Sequence, residues 1–185
     1  MMHTNPWMVT AEKMVYENPW IRLTEFDVIN PGGGKGIYGT VHFKNLAVGA
    51  IVLDEERNTY LVGQYRFPTN VFSWEIPEGG APEGTDPLEN VQRELKEETG
   101  LVAAHWQPLL QMHLSNSVSD ELAIIFLAMD LKQQDAEPEE TEKLVIKKIP
   151  FDEAYRMVDE GVITDSMSVA AILKVKILFA EGKLK

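Results

Sequence analysis

Residues 79–101 read GGAPEGTDPLENVQRELKEETGL, and their second half sets Arg93, Glu94, Glu97 and Glu98 within about one and a half helical turns. In a helix, positions i, i+3 and i+4 share a face, so Glu94, Glu97 and Glu98 project together and repel one another unless a cation neutralises them. Arg93 supplies one positive charge. Three hard oxygen ligands suit magnesium, or manganese in its place, better than zinc.

The same stretch carries its own helix signals. Asp86 is a good N-cap, Pro87 fits the first helical position, and Glu89 stands three residues after the cap. Leu88, Val91 and Leu95 follow helical spacing and form a stripe to bury, with the carboxylate face pointing away from it. Gly100 ends the helix.

In fixed register the segment resembles the Nudix box: Gly, five residues, Glu, seven residues, then Arg-Glu-aliphatic-X-Glu-Glu-X-Gly-aliphatic. Gly79, Arg93, Glu94, Leu95, Glu97, Glu98, Gly100 and Leu101 match, and Thr85 stands where the pattern has its first Glu. Either Glu83 or Asp86 compensates, or one outer contact of the metal site is missing. Three flanks resemble the ADP-ribose and nucleoside-diphosphate-sugar pyrophosphatase branch of that family: Gln64-Tyr65-Arg66 followed by Trp74 to Gly80, LSNSVSDE ending in Glu121, and Gly161 to Asp165.

The resemblance implies a fold and a reaction. The fold is α/β, a mixed β-sheet in an α/β/α sandwich with an extra N-terminal antiparallel sheet. The reaction is metal-dependent hydrolysis of the diphosphate in nucleoside diphosphate sugars, ADP-ribose first, GDP-mannose or another nucleotide sugar next. Glu94 and Glu98 are the first metal ligands and Glu97 follows, while the resemblance adds the backbone carbonyl of Glu78. Arg93 pairs with a box carboxylate such as Glu97. The resemblance also points to Glu140 as the base that activates water, with Glu142 as helper. Arg66 is the best diphosphate contact, because a guanidinium can fork onto phosphate oxygens. Glu121 and Gly80 complete the expected substrate contacts. Alternative readings are a nucleoside triphosphate or dinucleoside polyphosphate hydrolase, and a non-hydrolysing nucleotide-sugar sensor motivated by Thr85.

Strand-like runs at 21–28, 37–43, 47–53, 60–64, 72–76, 122–129 and 144–149 surround the box helix, and two helices close the chain. Asp152 is expected to cap the first of these, and Asp165 or Ser166 to start the second. Residues 1–45 are expected to form a β extension that joins two subunits into a homodimer and helps build the nucleotide pocket, ahead of a catalytic domain over 46–185. The implied function of the extension follows from the resemblance alone.

At 185 residues and 44% hydrophobic content the chain can bury one substantial core. Its net charge of -12 disfavours nucleic acid as a backbone-tracking ligand. No run approaches a membrane span, no secretory signal is legible, and the absence of cysteine removes disulfides and thiolate metal sites. A cytoplasmic protein without membrane or nucleic-acid partners is the expectation. Trp7, Trp20 and Tyr38 are candidates for stacking on a base, and the four histidines have no metal-ligand spacing.

Overall fold

The computed structural model describes residues 4–135 and 144–184. In chain order they form β1 (Met8–Glu17), β2 (Ile21–Ile29), β3 (Lys35–Phe43), β4 (Asn45–Val52), β5 (Asn58–Arg66), β6 (Val71–Glu75), β7 (Glu78–Pro82), α1 (Pro87–Thr99), β8 (Leu101–His113), β9 (Leu122–Gln133), β10 (Val145–Pro150), α2 (Phe151–Asp159) and α3 (Ser166–Ala180). Contacts divide the chain into two compact units, one of residues up to Asn45 with His113–Glu121, the other of Leu46–Met112 with Leu122 onward.

The first unit is the antiparallel sheet β1-β2-β3. Tight turns make it possible: Asn30 Oδ1 accepts from the backbone of Gly32 and Gly34 at the β2–β3 hairpin. The segment 113–121 joins this sheet, since Val41 N donates to Val118 O and His42 Nδ1 lies 2.6 Å from Asp120 Oδ2. Every residue of β1 is exposed. Trp7 and Tyr38 meet edge to face at 5.3 Å beside a cavity of about 310 Å³ that Val9, Phe26, Val28 and Thr40 also line.

In the second unit β4 and β9 pair in parallel, Ala47 opposite Ala123 through Val52 opposite Ala128, within the sheet β7-β4-β9-β8. Alternation along β4 sorts its neighbours. Val48, Ala50 and Val52 pack with Val91 and Leu95 of α1, and full burial of each Val or Leu among them contributes about 2 kcal/mol. On the opposite face Gly49 admits α3, because a Cβ there would lie 2.9 Å from Met167 Cε. The sheet therefore sits between α1 and α3, the expected mixed α/β layering. A second sheet, β10-β5-β6, is antiparallel throughout and separate from the first.

Local chemistry explains α1. Asp86 accepts from Leu88 N, Pro87 opens the helix, and Gly100 closes it in the left-handed region at φ 73° with its N–H on Lys96 O. Asp165 likewise caps α3 by accepting from Ser168 N. The Asp152 expectation is corrected: α2 starts at Phe151 after Pro150, no side chain caps it, and Asp152 instead accepts from Lys176 Nζ at 2.8 Å. Pro150 fixes its own φ and lacks an N–H, so it ends the strand and begins the helix together. The sequence reading also passed over β1, β7 and β8.

Candidate active site

The box glycine is held by contact, not by its own dihedral freedom. A Cβ on Gly79 would fall inside contact distance of all three carboxyl atoms of Glu94, so the bare α-carbon of β7 is the floor on which that carboxylate rests. Glu98, one turn on, is only 4% exposed, and its Oε2 accepts from Glu78 N at 3.1 Å. The box helix thus meets β7 through two of its carboxylates, with Glu98 buried. Arg93 lies over the same face: Nη2 donates to Glu94 Oε1 at 2.6 Å and more weakly to Gly80 O at 3.5 Å, and Nη1 donates to Glu97 Oε2. Glu94 and Glu97 bracket Arg93, whose guanidinium is stabilised in its charged form by both although burial opposes it. Glu94 meets β7 at Gly79 and Glu98 meets it at Glu78 N, and with Glu97 on the same helix they offer oxygen donors of the kind a hard divalent cation takes.

Thr85 occupies a different place. Its hydroxyl donates to Pro82 O at 2.6 Å and accepts from Asn90 Nδ2 at 2.8 Å, closing the turn ahead of α1. Asp86 is engaged as the helix cap.

A second acidic group adjoins the box through Glu78. Arg66, the last residue of β5, forks onto Glu75 across the β5–β6 hairpin: Nε lies 2.9 Å from Oε1 and Nη2 2.6 Å from Oε2. Nη2 also donates to Glu78 Oε1 at 2.9 Å. Gln64 Nε2 adds a longer bond to Glu75. Glu75, Glu78 and Asp165 each bring a carboxylate oxygen within 4.8 Å of the others. Glu78 Oε2 is buried without a hydrogen-bond partner among the described residues. Burial first, then Asp165 and Glu75, push its carboxyl well above the usual carboxylate range. These groups line a cavity of about 530 Å³ completed by Pro68, Thr69, Val71, Ser73, Thr164 and Ser166.

The structure thus brings Arg66, Glu78, Gly80, Arg93, Glu94, Glu97 and Glu98 into one chain of contacts. Glu121 belongs to the first unit, half-buried at the end of its loop, with its carboxyl raised by burial and by Asp120. Glu140 and Glu142 lie outside the described residues. Glu75 and Asp165 were not singled out as site residues from sequence. Glu75 was legible in principle, since a four-residue turn between Arg66 and Val71 sets residues 62, 64, 66 and 75 on one face of the hairpin; Asp165 carried only its helix cap and its place at the end of the flank Gly161 to Asp165.

Comparison with known proteins places the chain in a family. The family model for the NUDIX domain matches residues 43–166, and that for the nucleoside diphosphate sugar hydrolase N-terminal domain matches residues 7–41. An ADP-ribose pyrophosphatase of Mycobacterium tuberculosis is 35% identical over 150 residues, 78% of this chain and 71% of that protein. A methanol dehydrogenase activator of Bacillus methanolicus is 30% identical over 162 residues, 86% of this chain and 87% of that protein. A crystal structure of an ADP compounds hydrolase superposes with a TM-score of 0.86 over all of both chains at 19% identity, a likeness of fold. The chain belongs to the Nudix hydrolase family, in its ADP-ribose and nucleoside-diphosphate-sugar pyrophosphatase branch.

Proposed function

We propose that the protein cleaves the diphosphate of nucleoside diphosphate sugars, ADP-ribose first and GDP-mannose or another nucleotide sugar next, giving a nucleoside monophosphate and a sugar phosphate. The observation that carries this reading is the seating of Glu94 on Gly79 beside buried Glu98, which supports a divalent-metal site directly under β7. Glu94, Glu98 and Glu97, with the carbonyl of Glu78, would hold magnesium, or manganese in its place. Such an ion supplies charge neutralisation on the phosphates and a lowered pKa for attacking water.

The residues of the chain do the rest. Arg93 holds Glu94 and Glu97 in place, and Arg66 contacts the diphosphate, with Gly80 and Glu121 as further substrate contacts. Water adds to one phosphorus, the bond from that phosphorus to the bridging oxygen breaks, and the bridging oxygen leaves on the other phosphate. Glu140 receives the proton of the water and Glu142 assists, an assignment that rests on the family resemblance. Replacing either by Gln is expected to lower kcat by about 10²-fold or more with a modest change in KM. Wild-type kcat in both variants would move the base to Glu97 or Glu121.

Residues 1–45 act as a β extension to the catalytic domain, joining two copies through β1. Its exposed Met8, Val9, Met14, Val15 and Tyr16 and its open edge support a homodimer. The aromatic-walled cavity at Trp7 and Tyr38 supports a place for the base in the same unit. A cysteine-free composition supports a cytoplasmic location. Among the described residues no helix is long and apolar enough to cross a membrane.

One panel tests the reaction: nucleotide sugars, nucleoside triphosphates and dinucleoside polyphosphates with magnesium, products separated by chromatography. Monophosphate and sugar phosphate from ADP-ribose are expected. Cleavage of triphosphates alone would overturn the substrate class, and tight binding without turnover would favour the sensor. Light scattering at increasing concentration tests the dimer, and a monomer throughout would remove it.

A further inference from the structure

Arg66 is bonded on one side only. Its Nε and Nη2 are engaged by Glu75 and Glu78, whereas Nη1 has no protein partner among the described residues. Glu75 can hold it firmly because Glu75 is itself fixed: it is 2% exposed, stands in the β5–β6 ladder opposite Val62, and accepts from Gln64. A guanidinium is a rigid planar fork, so fixing two of its nitrogens fixes the direction of the third.

Orientation matters here more than field. Even with the Glu78 carboxyl neutral, the cavity that Arg66 lines carries the carboxylates of Glu75 and Asp165 against one guanidinium, so its net charge does not draw in a phosphate. Only a short, directed bond from the remaining nitrogen can favour a phosphate oxygen there, while Thr69, Ser73, Thr164 and Ser166 provide hydroxyls that suit a polyol.

We infer that Glu75 is a positioning residue for substrate: by clamping Nε and Nη2 of Arg66 it presents Nη1 to the cavity beside the start of α3, which receives the phosphorylated sugar half. The assignment rests on the reaction proposed above. It adds a residue that acts through Arg66 and a subsite for one of the two products.

Ribose 5-phosphate is the probe, because its binding needs no turnover. Calorimetric titration with magnesium is compared across wild type, Glu75→Gln, Arg66→Lys, Arg66→Ala and the double variant Glu75→Gln/Arg66→Ala, with AMP as the control ligand. Glu75→Gln keeps the size of the side chain but sets an amide against the guanidinium; Arg66→Lys keeps the charge but loses the fork. Each is expected to weaken ribose 5-phosphate by about tenfold, as for loss of a charge-assisted bond, and to leave AMP unchanged. On the Arg66→Ala background Glu75→Gln should add nothing, since it acts through Arg66. In turnover Glu75→Gln should raise KM for ADP-ribose by a larger factor than it lowers kcat.

Full additivity of the two substitutions, equal losses for AMP, or no binding of ribose 5-phosphate by the wild type would overturn the inference. If Glu75→Gln does not fold, unchanged affinity in Arg66→Lys is sufficient to overturn it. Absence of ADP-ribose hydrolysis alongside the expected binding pattern would reject the reaction and leave the subsite. Hydrolysis with an unaltered binding pattern would do the reverse.

Discussion

Two acidic groups meet at Glu78, and they are built in opposite ways. Glu94, Glu97 and Glu98 come from one helix, and their spacing alone brings them together. Glu75, Glu78 and Asp165 come from β6, β7 and the cap of α3, and only the folded chain gathers them. The helical group has Arg93 beside it and a glycine floor beneath; the gathered group has Arg66 clamped across it and a buried carboxyl oxygen without a donor among the described residues. A helix can present charge for a ligand at little cost in folding, whereas a group assembled from distant segments has to be compensated by the fold itself.

The largest effect should therefore come from the helical group. Glu98→Gln keeps shape and removes charge, and turnover of ADP-ribose is expected to fall by about 10³-fold or more with the melting temperature near that of wild type. Near-normal kcat at saturating magnesium would break the assignment of this group to the metal.

Gly79→Ala sharpens the same point without touching a carboxylate. The added methyl displaces Glu94, the flexible end of a side chain, so the fold yields easily while the ligand moves. The magnesium concentration for half-maximal activity should rise by about tenfold, with less than about 1 kcal/mol lost in stability. A large stability loss with an unchanged magnesium requirement would show that Gly79 serves packing alone.

What was legible in the sequence follows the same division. Residues 86–100 contain cap, proline, apolar stripe and stop within a single helix, so α1 and its carboxylates could be read locally. β8 could not: along LVAAHWQPLLQMH alternation fails, a proline interrupts, and the half-exposed pattern offers no period. β7, sequence EGGAP, has neither β-branched nor aromatic residues and is a strand through its pairing with β4 at the sheet edge. The burial of Glu98 was equally hidden, for it depends on the backbone N–H of Glu78, twenty positions away. Arg66 is legible as a fork for phosphate oxygens, whereas its engagement by Glu75 depends on the hairpin register.

The gathered group should declare itself through pH. Burial, Asp165 and Glu75 raise the Glu78 carboxyl above its unfolded value, so its neutral form is favoured in the native state. The sign follows from linkage: this contribution to stability is full below about pH 4.5 and is lost as pH rises through the raised folded value. With chelator present, Glu78→Gln should melt higher than wild type above neutrality, and the gap should close toward pH 5. Parallel melting profiles across that range would mean that Glu78 is compensated in the native state.

The smallest effect is expected at Thr85, where the box departs from its pattern. Its hydroxyl donates to Pro82 O and accepts from Asn90 Nδ2, while Asp86 beside it caps the helix, so the turn is complete with Thr in place. The residue is exposed, and a Glu there would lose both bonds to gain a solvated charge near the positive end of α1. Those two terms nearly offset. Thr85→Glu is expected to change stability by about 1 kcal/mol or less and kcat by less than about threefold. A gain of tenfold or more, with a lower magnesium requirement, would show instead that the helical group lacks an outer ligand and that Thr85 marks a weakened site. Thr85→Val separates the outcomes: it removes the turn bonds without adding charge, so an equal response in both variants assigns the effect to the turn.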